Sequence, residues 1–274
     1  MKIKKKIIVP VIVLLILLSP PAAVFRSMAV MSVYSHTFEK NSVQRQHGFD
    51  IKIPGGLSTP ESDWYPFVMT FSDSAGFQSF TKNDDLSLTI MYNFPAFSPI
   101  RGCSHLFDPA SPYLNSFYGA YAVSDSSGGK YGFLKDGSLD ADSVSVVPMF
   151  DMQRLVLSDF GLKQQNMVFD WSITDTSEVS YANSDGWTKC DAEIITNSPT
   201  HTPKAFAMSY LQYGVPSYNV KPGFAPVRMY GRVYSRYIEE YDTSVFFYII
   251  CHDKDALEKC DRDILSKSEI IPVK

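Results

Sequence analysis

The residues best suited to chemistry lie near the end of the chain, in the stretch RMYGRVYSRY. Arginine and tyrosine alternate there at every second position, at Arg228, Tyr230, Arg232, Tyr234 and Arg236. A strand points alternate side chains to opposite faces, so all five residues, which we call the arginine stripe, share one face. Successive arginines are then about 13 Å apart, at roughly 3.3 Å per residue. That spacing is too wide to hold one small anion but suits an extended acidic or carbohydrate surface.

The stripe also has a purely structural interpretation. If residues 242–243 form a two-residue hairpin turn, Arg232 lies opposite Asp253 and Arg236 lies opposite Ile249. A cross-strand ion pair would then account for Arg232 without any ligand. We favour this structural interpretation and expect the stripe to be the exposed face of the C-terminal hairpin. It remains the best sequence candidate for an interaction surface with a protein or carbohydrate partner.

A second set of reactive residues occurs in GCSHLFD, which contains Cys103, His105 and Asp108. A cysteine beside a histidine can form a nucleophilic pair, as in hydrolases whose site is assembled in space. The alternative is a surface loop that a disulfide of Cys103 tethers, with polar residues exposed to solvent. We favour the loop and keep an extracytoplasmic hydrolase as the alternative function.

The four cysteines are Cys103, Cys190, Cys251 and Cys260. An even number of cysteines in an exported chain favours disulfides, and we expect the pairs Cys251–Cys260 and Cys103–Cys190. The alternative is four free thiols that are buried as small hydrophobic groups. The chain has no Cys-x-x-Cys and no histidine at zinc-finger spacing, so we expect no structural metal. We also find no nucleotide-binding or hydrolase motif, and we expect no cofactor.

The N-terminus has the pattern of an export signal. Lysines in MKIKKK precede an apolar run over about 7–25 that only Pro10 and the Ser19-Pro-Pro group interrupt. We therefore predict that residues 1–29 are a signal peptide or an uncleaved signal anchor. The lysines keep the N-terminus in the cytoplasm, so the body is extracytoplasmic on a single-pass membrane protein, or secreted if the leader is cleaved.

Charge argues against a nucleic-acid partner. The formal net charge is −4, but the leader contributes five basic residues and no acid. The remainder therefore has 20 basic against 29 acidic residues. An acidic body repels phosphate backbones, so we expect no nucleic acid to bind and the membrane to be contacted through the N-terminal helix.

The body after a stalk at 30–46 is predicted to be rich in strands. Alternating or β-branched runs favour strands at 49–53, 65–72, 86–94, 116–124, 167–173, 186–196, 204–214, 227–241 and 244–252. A turn is expected at 184–186 and a long surface loop at 95–115. A mid-chain helix is expected at 147–162, with Pro148 in its first turn and Gly161 after its end.

A second helix is predicted near the C-terminus, after an N-cap at Asp253. Its apolar side consists of Leu257, Cys260, Ile264 and Leu265. Its acids are expected to form a solvated polar face, and they are Asp253, Asp255, Glu258, Asp261 and Asp263. The pattern indicates one α+β domain over 47–274, a mostly antiparallel sheet with two main helices.

The two ends of this body, GFDIKIP and FFYIICHDKDALEKCDRDILSKSEI, resemble those of PsbP/Mog1-like domains. The resemblance covers about a fifth of the chain and includes no diagnostic motif. It implies an antiparallel sheet covered by helices, on an exported or anchored protein that binds rather than catalyses. The sequence thus favours a membrane-anchored or secreted binding domain, with the hydrolase and a structural envelope protein as alternatives.

Overall fold

A seven-stranded antiparallel sheet organises the chain. The computed structural model describes residues 10–11, 13–15, 23–55, 68–93, 97–98, 103–158, 160–200 and 223–273. The strands of the sheet are β2 (Met69–Ser72), β3 (Leu86–Asn93), β6 (Phe117–Asp125), β7 (Phe169–Tyr181), β8 (Ser184–Asn197), β9 (Pro226–Ile238) and β10 (Thr243–Cys251). Their order is β2-β3-β6-β10-β9-β8-β7. This confirms the α+β fold and the positions of the predicted strands, apart from 65–67, 94 and 204–214, which lie outside the described residues. Strand β7 continues beyond its predicted end at 173, so the predicted turn at 184–186 is wrong and the chain turns at Ala182 and Asn183, both at positive φ.

Four shorter strands lie beside the main sheet. They are β1 (Phe49–Lys52), β4 (Phe97–Ser98), β5 (Cys103–Ser104) and β11 (Glu269–Pro272). Strand β1 pairs with β11, which brings the start of the body to the end of the chain. Strands β4 and β5 form a small hairpin within the segment predicted as a surface loop. That prediction is wrong in part, because Leu106, Phe107 and Leu114 are buried in the core.

The central strand β10 shows why the sheet forms. All nine of its residues are buried, and successive side chains enter two different apolar clusters. Phe246 and Tyr248 belong to the cluster on one face, whereas Phe247 and Ile249 belong to the cluster on the other. A strand that is covered on both faces has no polar alternation, which matches the continuous run SVFFYIIC.

Besides the helical residues 10–11 and 13–15, the described structure contains five α-helices. They are α1 (Ala23–Lys40), α2 (Val43–Gln46), α3 (Ser74–Thr81), α4 (Ala141–Phe150) and α5 (Lys254–Asp263). Helix α1 and the four-residue α2 occupy the segment predicted as a stalk. Helix α2 is tied to the sheet, because the Val43 amide donates to the Thr89 hydroxyl over 2.9 Å. Helix α5 begins as predicted, with the Asp253 carboxylate accepting from the Ala256 amide over 2.9 Å.

The mid-chain helix differs from its prediction. It begins after Asp140, whose carboxylate caps the first turn, and Pro148 lies inside it rather than at its start. From Asp151 to Leu157 the backbone continues as a π-helix, which ends before Gly161 at φ +84°. Proline cannot donate an intrahelical hydrogen bond, and π-helical turns are short local insertions in helices that often mark functional sites. The predicted start at 147 was therefore six residues too late, because the prediction placed Pro148 in the first turn and the fold tolerates this proline inside the helix.

The N-terminal leader is mostly outside the described residues. Among the residues that the structure does describe, no helix is both long and apolar enough to cross a bilayer. The apolar run predicted as a signal anchor, at about 7–25, is described only at 10–11, 13–15 and 23–25.

Candidate functional site

The arginine stripe lies on one face of β9, as the strand period predicts, but its register against β10 differs. Arg232 pairs with Ile249 and Arg236 pairs with Val245. The predicted register, with Arg232 opposite Asp253, is wrong because the connection is longer than a two-residue turn. A 3₁₀ turn over Glu239–Tyr241 precedes Asp242, which adopts φ +45°.

Helix α5 packs over the middle of the stripe and divides it. The side chains of Arg232 and Tyr234 are buried, at 7% and 5% exposure. Arg228 at one end is exposed and forms an ion pair with Glu193. Arg236 at the other end is half-buried, with its guanidinium carbon 6.0 Å from the centre of the Trp187 ring. The prediction that the whole stripe is an exposed face is therefore wrong, because its middle is buried.

The buried Arg232 guanidinium is bonded to three carboxylates. Its Nε and Nη2 donate to Asp191 over 2.6 and 3.2 Å. Nη1 and Nη2 donate to Glu258 over 2.8 and 2.9 Å, and Nη1 also donates to Asp261 over 2.8 Å. These five bonds match the five N–H groups that a guanidinium carries. Arg232 thus joins β8 to α5 through the core of the protein.

Two tyrosines complete this cluster, which we call the Arg232 cluster. The hydroxyls of Tyr181 and Tyr234 donate to the two oxygens of Asp261 over 2.7 and 2.6 Å. Their rings stack with centroids 3.5 Å apart and planes at 10°. The carboxylates of Glu258 and Asp261 therefore face the sheet, which corrects the prediction that the acids of this helix form a solvated face.

The cluster holds its charges at neutral pH. Burial alone would lower the pKa of Arg232, but hydrogen bonds to Glu258, Asp191 and Asp261 raise it well above its ordinary value. The hydrogen bonds from Arg232 lower the pKa of Glu258. Burial alone would raise the pKa of Asp191, yet the bonds from Arg232 and Lys189 bring it below its ordinary value. Arg232, Asp191 and Glu258 therefore stay ionised at neutral pH.

A cleft of about 330 Å³ opens next to the cluster, between strands β7 to β9 and the first turns of α5. We call it the stripe cleft. Its lining contains four carboxylates and two cations among eleven residues, namely Thr174, Asp175, Asp191, Ala192, Glu193, Tyr230, Gly231, Arg232, Lys254, Leu257 and Glu258. Two of these, Tyr230 and Arg232, belong to the predicted stripe. The lining is therefore predominantly acidic, although the stripe itself is basic.

A β-bulge places one of these acids in the cleft. The pairing of β7 with β8 shifts between Ile173 and Asp175, which leaves Thr174 as the extra residue. The Thr174 hydroxyl donates to the Asp191 carbonyl over 3.1 Å. Beyond the bulge, Asp175 lies directly opposite Asp191 on the face that carries the stripe. Bulges commonly redirect a side chain in this way.

Asp175 and Lys254 differ from the other charged groups of the stripe cleft. Neither side chain makes a hydrogen bond or an ion pair with any residue that the structure describes. Asp191 is neutralised by Arg232 and by Lys189, whose Nζ lies 2.9 Å from it. Asp175 is therefore an exposed carboxylate with no ion-pair partner among the described residues.

Asp175 and Asp191 were not predicted from the sequence as members of the site. Asp191 had a usable signal, since Lys189, Asp191 and Glu193 alternate at the strand period and therefore share a face. Asp175 had no such signal, because the bulge at Thr174 reverses the alternation along β7.

The cysteines do not form the predicted disulfides. Cys190, Cys251 and Cys260 are free and buried, so both predicted pairs are wrong. Cys251 and Cys260 pack as small hydrophobic groups in one apolar cluster. Burial, together with the charges of Asp191 and Asp175, raises the pKa of Cys190 to about 12. Burial also raises the pKa of Cys251, so the Cys190 and Cys251 thiols are protonated and enclosed.

The Cys103–His105–Asp108 segment is described only in part. Its backbone forms strand β5 and a 3₁₀ turn over His105–Phe107, but the side chains of Cys103 and His105 lie outside the described part of the structure. The Asp108 carboxylate accepts from the Ala110 amide over 2.9 Å, which closes a local turn.

A larger cavity of about 620 Å³ lies between α3, the loop after β6 and α4. The charged side chains of this cavity already form hydrogen bonds or ion pairs with neighbouring residues. Lys130 forms an ion pair with Glu239, and Asp140 caps α4. The Asp125 carboxylate accepts from the Ser127 amide over 2.9 Å. This cavity offers apolar walls but no charged group that lacks a partner, so the stripe cleft is the better candidate.

The sheet face opposite the stripe holds a buried carboxyl, on Asp151 at the start of the π-helix. The Asp151 carboxyl makes no hydrogen bond or ion pair with a described residue, and neither does the buried hydroxyl of Tyr248 nearby. The space between them leaves no room for a water molecule. Pro148 frees the Val144 carbonyl, which accepts from the Tyr121 hydroxyl over 3.2 Å instead. Burial raises the pKa of Asp151 to about 7.

Comparison with known proteins adds no family to this description. No protein-family model, no curated protein and no solved structure matches the chain. The resemblance to PsbP/Mog1-like domains therefore stays an expectation drawn from the sequence.

Proposed function

We propose that this protein is an extracytoplasmic binding domain, anchored or exported by its N-terminal leader, that recognises a cationic group in the stripe cleft. The observation that carries the proposal is Asp175, a carboxylate with no partner among the described residues, which the bulge at Thr174 sets directly opposite Asp191. The leader, with its lysines and apolar run, supports the location.

The charge of the cleft favours a cation over an anion. Four carboxylates and two cations line it, and one of those cations, Arg232, is already saturated by hydrogen bonds. A ligand ammonium beside Asp175 would give this carboxylate an ion-pair partner, which no described residue supplies. The half-buried ring of Tyr230 adds an aromatic wall, which suits a cation or the apolar stem of a lysine.

The Arg232 cluster has a supporting role in this proposal. Its bonds fix Asp191 and Glu258 in position before any ligand arrives, so little side-chain freedom is lost on binding. Because the charge of the cleft favours a cation, the proposed partner is a protein that presents a basic side chain, rather than a carbohydrate. The predicted binding residues Tyr230 and Arg232 remain part of the site, as its wall and its support, whereas Arg228 and Arg236 lie at the ends of the stripe.

The test is a titration of the full chain in detergent with Nα-acetyl-lysine methylamide, followed by NMR. Its Nε-acetylated form is the matched neutral probe. We expect the charged probe to shift the amide signals of β7 to β9 around the cleft, and the neutral probe to leave them unchanged. Replacement Asp175→Asn should weaken binding about two- to five-fold, the range of one exposed ion pair.

Asp170→Asn is the matched control, because Asp170 is also an exposed acid of β7 and lies before the bulge. It should leave binding unchanged. Equal shifts from both probes, or binding that Asp175→Asn does not alter, would contradict the proposal.

A further inference from the structure

The outer edge of β7 is the least protected backbone of the sheet. No described strand pairs with this edge, and eight of the thirteen residues of β7 are exposed. The opposite edge is different, because β2 has only four residues and α1 packs on it. The Thr70 amide of β2 donates to the Ser35 hydroxyl of α1 over 2.8 Å, and the Phe71 ring stacks 5.9 Å from Tyr34.

The composition of β7 suits pairing with another strand. It reads FDWSITDTSEVSY, which is rich in Ser, Thr and β-branched residues and contains no Pro, Gly, Lys or Arg. Sheet edges are usually blocked by lysine, proline, short length or bulges. Strand β7 is thirteen residues long and has no lysine or proline, and its pairing with β8 is regular over Asp175–Val179, between two register shifts. Its charged residues are all acids, namely Asp170, Asp175 and Glu178. A second copy of the chain would align these acids against one another, so the edge favours a basic partner.

We propose that the outer edge of β7 binds an extended basic peptide segment as an eighth strand, and that one basic side chain of this segment enters the stripe cleft beside Asp175. This inference rests on the function proposed above. Main-chain hydrogen bonds along the edge would supply affinity, and the cleft would supply selectivity for charge.

The strand period gives the peptide a defined pattern. Asp175 lies on the face that carries the stripe, and Glu178 lies three residues later, on the opposite face. An added strand places its side chains about 5 Å from their cross-strand neighbours. Two basic residues three positions apart would therefore meet Asp175 and Glu178 from the two faces of one strand.

The experiment uses the full chain and the hexapeptide acetyl-Thr-Lys-Thr-Val-Lys-Thr-amide, with both lysines three positions apart. The matched peptide acetyl-Thr-Lys-Thr-Lys-Val-Thr-amide has the same composition but both lysines on one face. Two further forms of the first peptide carry N-methyl groups on alternate amides, one set for each edge of the peptide. Binding is measured by titration, and protection of β7 is measured by amide hydrogen exchange.

We expect the first hexapeptide to bind at least ten-fold more tightly than Nα-acetyl-lysine methylamide and to slow exchange of the outward amides of β7. One N-methyl form should lose this gain and the other should keep it, because only one edge of the peptide faces β7. The peptide with both lysines on one face should bind more weakly than the first.

The failures of the two proposals are distinguishable. If the lysine derivative binds and the hexapeptide and both N-methyl forms bind no better, strand addition is wrong and the cation site stands. If only the hexapeptide binds, and Asp175→Asn has no effect, the cation site is wrong. Binding of neither probe overturns both. Slow exchange of the outward amides of β7 in the free chain, through pairing with a second copy, would also overturn strand addition.

Discussion

Arg232 and Asp151 are both buried ionisable residues. They lie on opposite faces of one sheet, and their surroundings differ. Arg232 uses five hydrogen bonds to three carboxylates, whereas Asp151 has no partner among the described residues. The pKa of Arg232 is raised, which keeps its charge, and the pKa of Asp151 rises to about 7, which keeps it neutral below that pH. Burial opposes the charged form in both residues, and only hydrogen bonding decides whether the charge survives.

This comparison assigns different roles to the two faces. The face with Arg232 carries fixed ions that position the stripe cleft. The face with Asp151 carries a neutral carboxyl, beside a Tyr248 hydroxyl that is also unpartnered, under a π-helix. Among the described residues, no cation lies near Asp151 to compensate a negative charge there. Ionisation of Asp151 therefore disfavours the packing of this helix on the sheet.

The largest effect is expected for Arg232→Met. This change leaves Asp191, Glu258 and Asp261 facing one another without their cation, and it should lower the free energy of unfolding by about 3–5 kcal/mol at pH 7. Because Arg232 lowers the pKa values of Asp191 and Glu258 below 3.8 and 4.5, the stability that it confers is lost as pH falls through the folded pKa values. The loss caused by the variant should therefore be largest at pH 7 and shrink below about pH 4. Urea unfolding at several pH values measures it.

Arg228→Met is the control for this change, because Arg228 is an exposed arginine on the same strand and the same face. Its unfolding midpoint should match that of the unaltered chain. A midpoint for Arg232→Met that also matches would show that the Arg232 cluster does not hold α5 on the sheet.

The next effect concerns the pH dependence that Asp151 confers. A carboxyl whose folded pKa is about 7, against 3.8 unfolded, binds its proton more tightly when folded. The contribution of Asp151 to stability is then highest below pH 4, falls between about pH 4 and 7, and is level above that, with a total change of about 4 kcal/mol at most. Asp151→Asn should remove this slope and be the more stable chain at pH 8. Unfolding of both chains over pH 4–8 measures the slope.

Asp84→Asn, which alters an exposed acid between α3 and β3, serves as the control and should retain the slope. An identical slope in Asp151→Asn would mean that Asp151 has found a hydrogen-bonding partner and that the two faces do not differ as described.

The smallest effect comes from a matched pair of tyrosines. Tyr181→Phe removes a hydroxyl bonded to the Asp261 carboxylate and should cost about 1.5–3 kcal/mol, the range for hydrogen bonds to charged groups. Tyr248→Phe removes a buried hydroxyl with no partner and should stabilise the chain by about 1 kcal/mol. Urea unfolding of the two variants side by side tests the comparison directly, and equal losses for both would refute it.

Local patterns in the sequence predicted much of the fold. The strand period of RMYGRVYSRY and the continuous apolar run of β10 identified the C-terminal hairpin, and Asp253 identified the start of α5. The π-helix and the early start of α4 were not predicted, because Pro148 is normally a first-turn residue and only packing on the sheet allows it deeper in a helix. The cysteine pairs were wrong because an even count says nothing about distance in space.

The sequence by itself determined which side chains of β9 share a face, since the two-residue period of a strand is a local property. Only the tertiary structure decided which of them are buried, because that depends on where α5 packs. It also decided that Glu258 and Asp261 face Arg232 rather than solvent, and that Asp175 lies opposite Asp191 after the bulge. Charge pairing and burial depend on groups that are distant in the chain, and no local period contains that information.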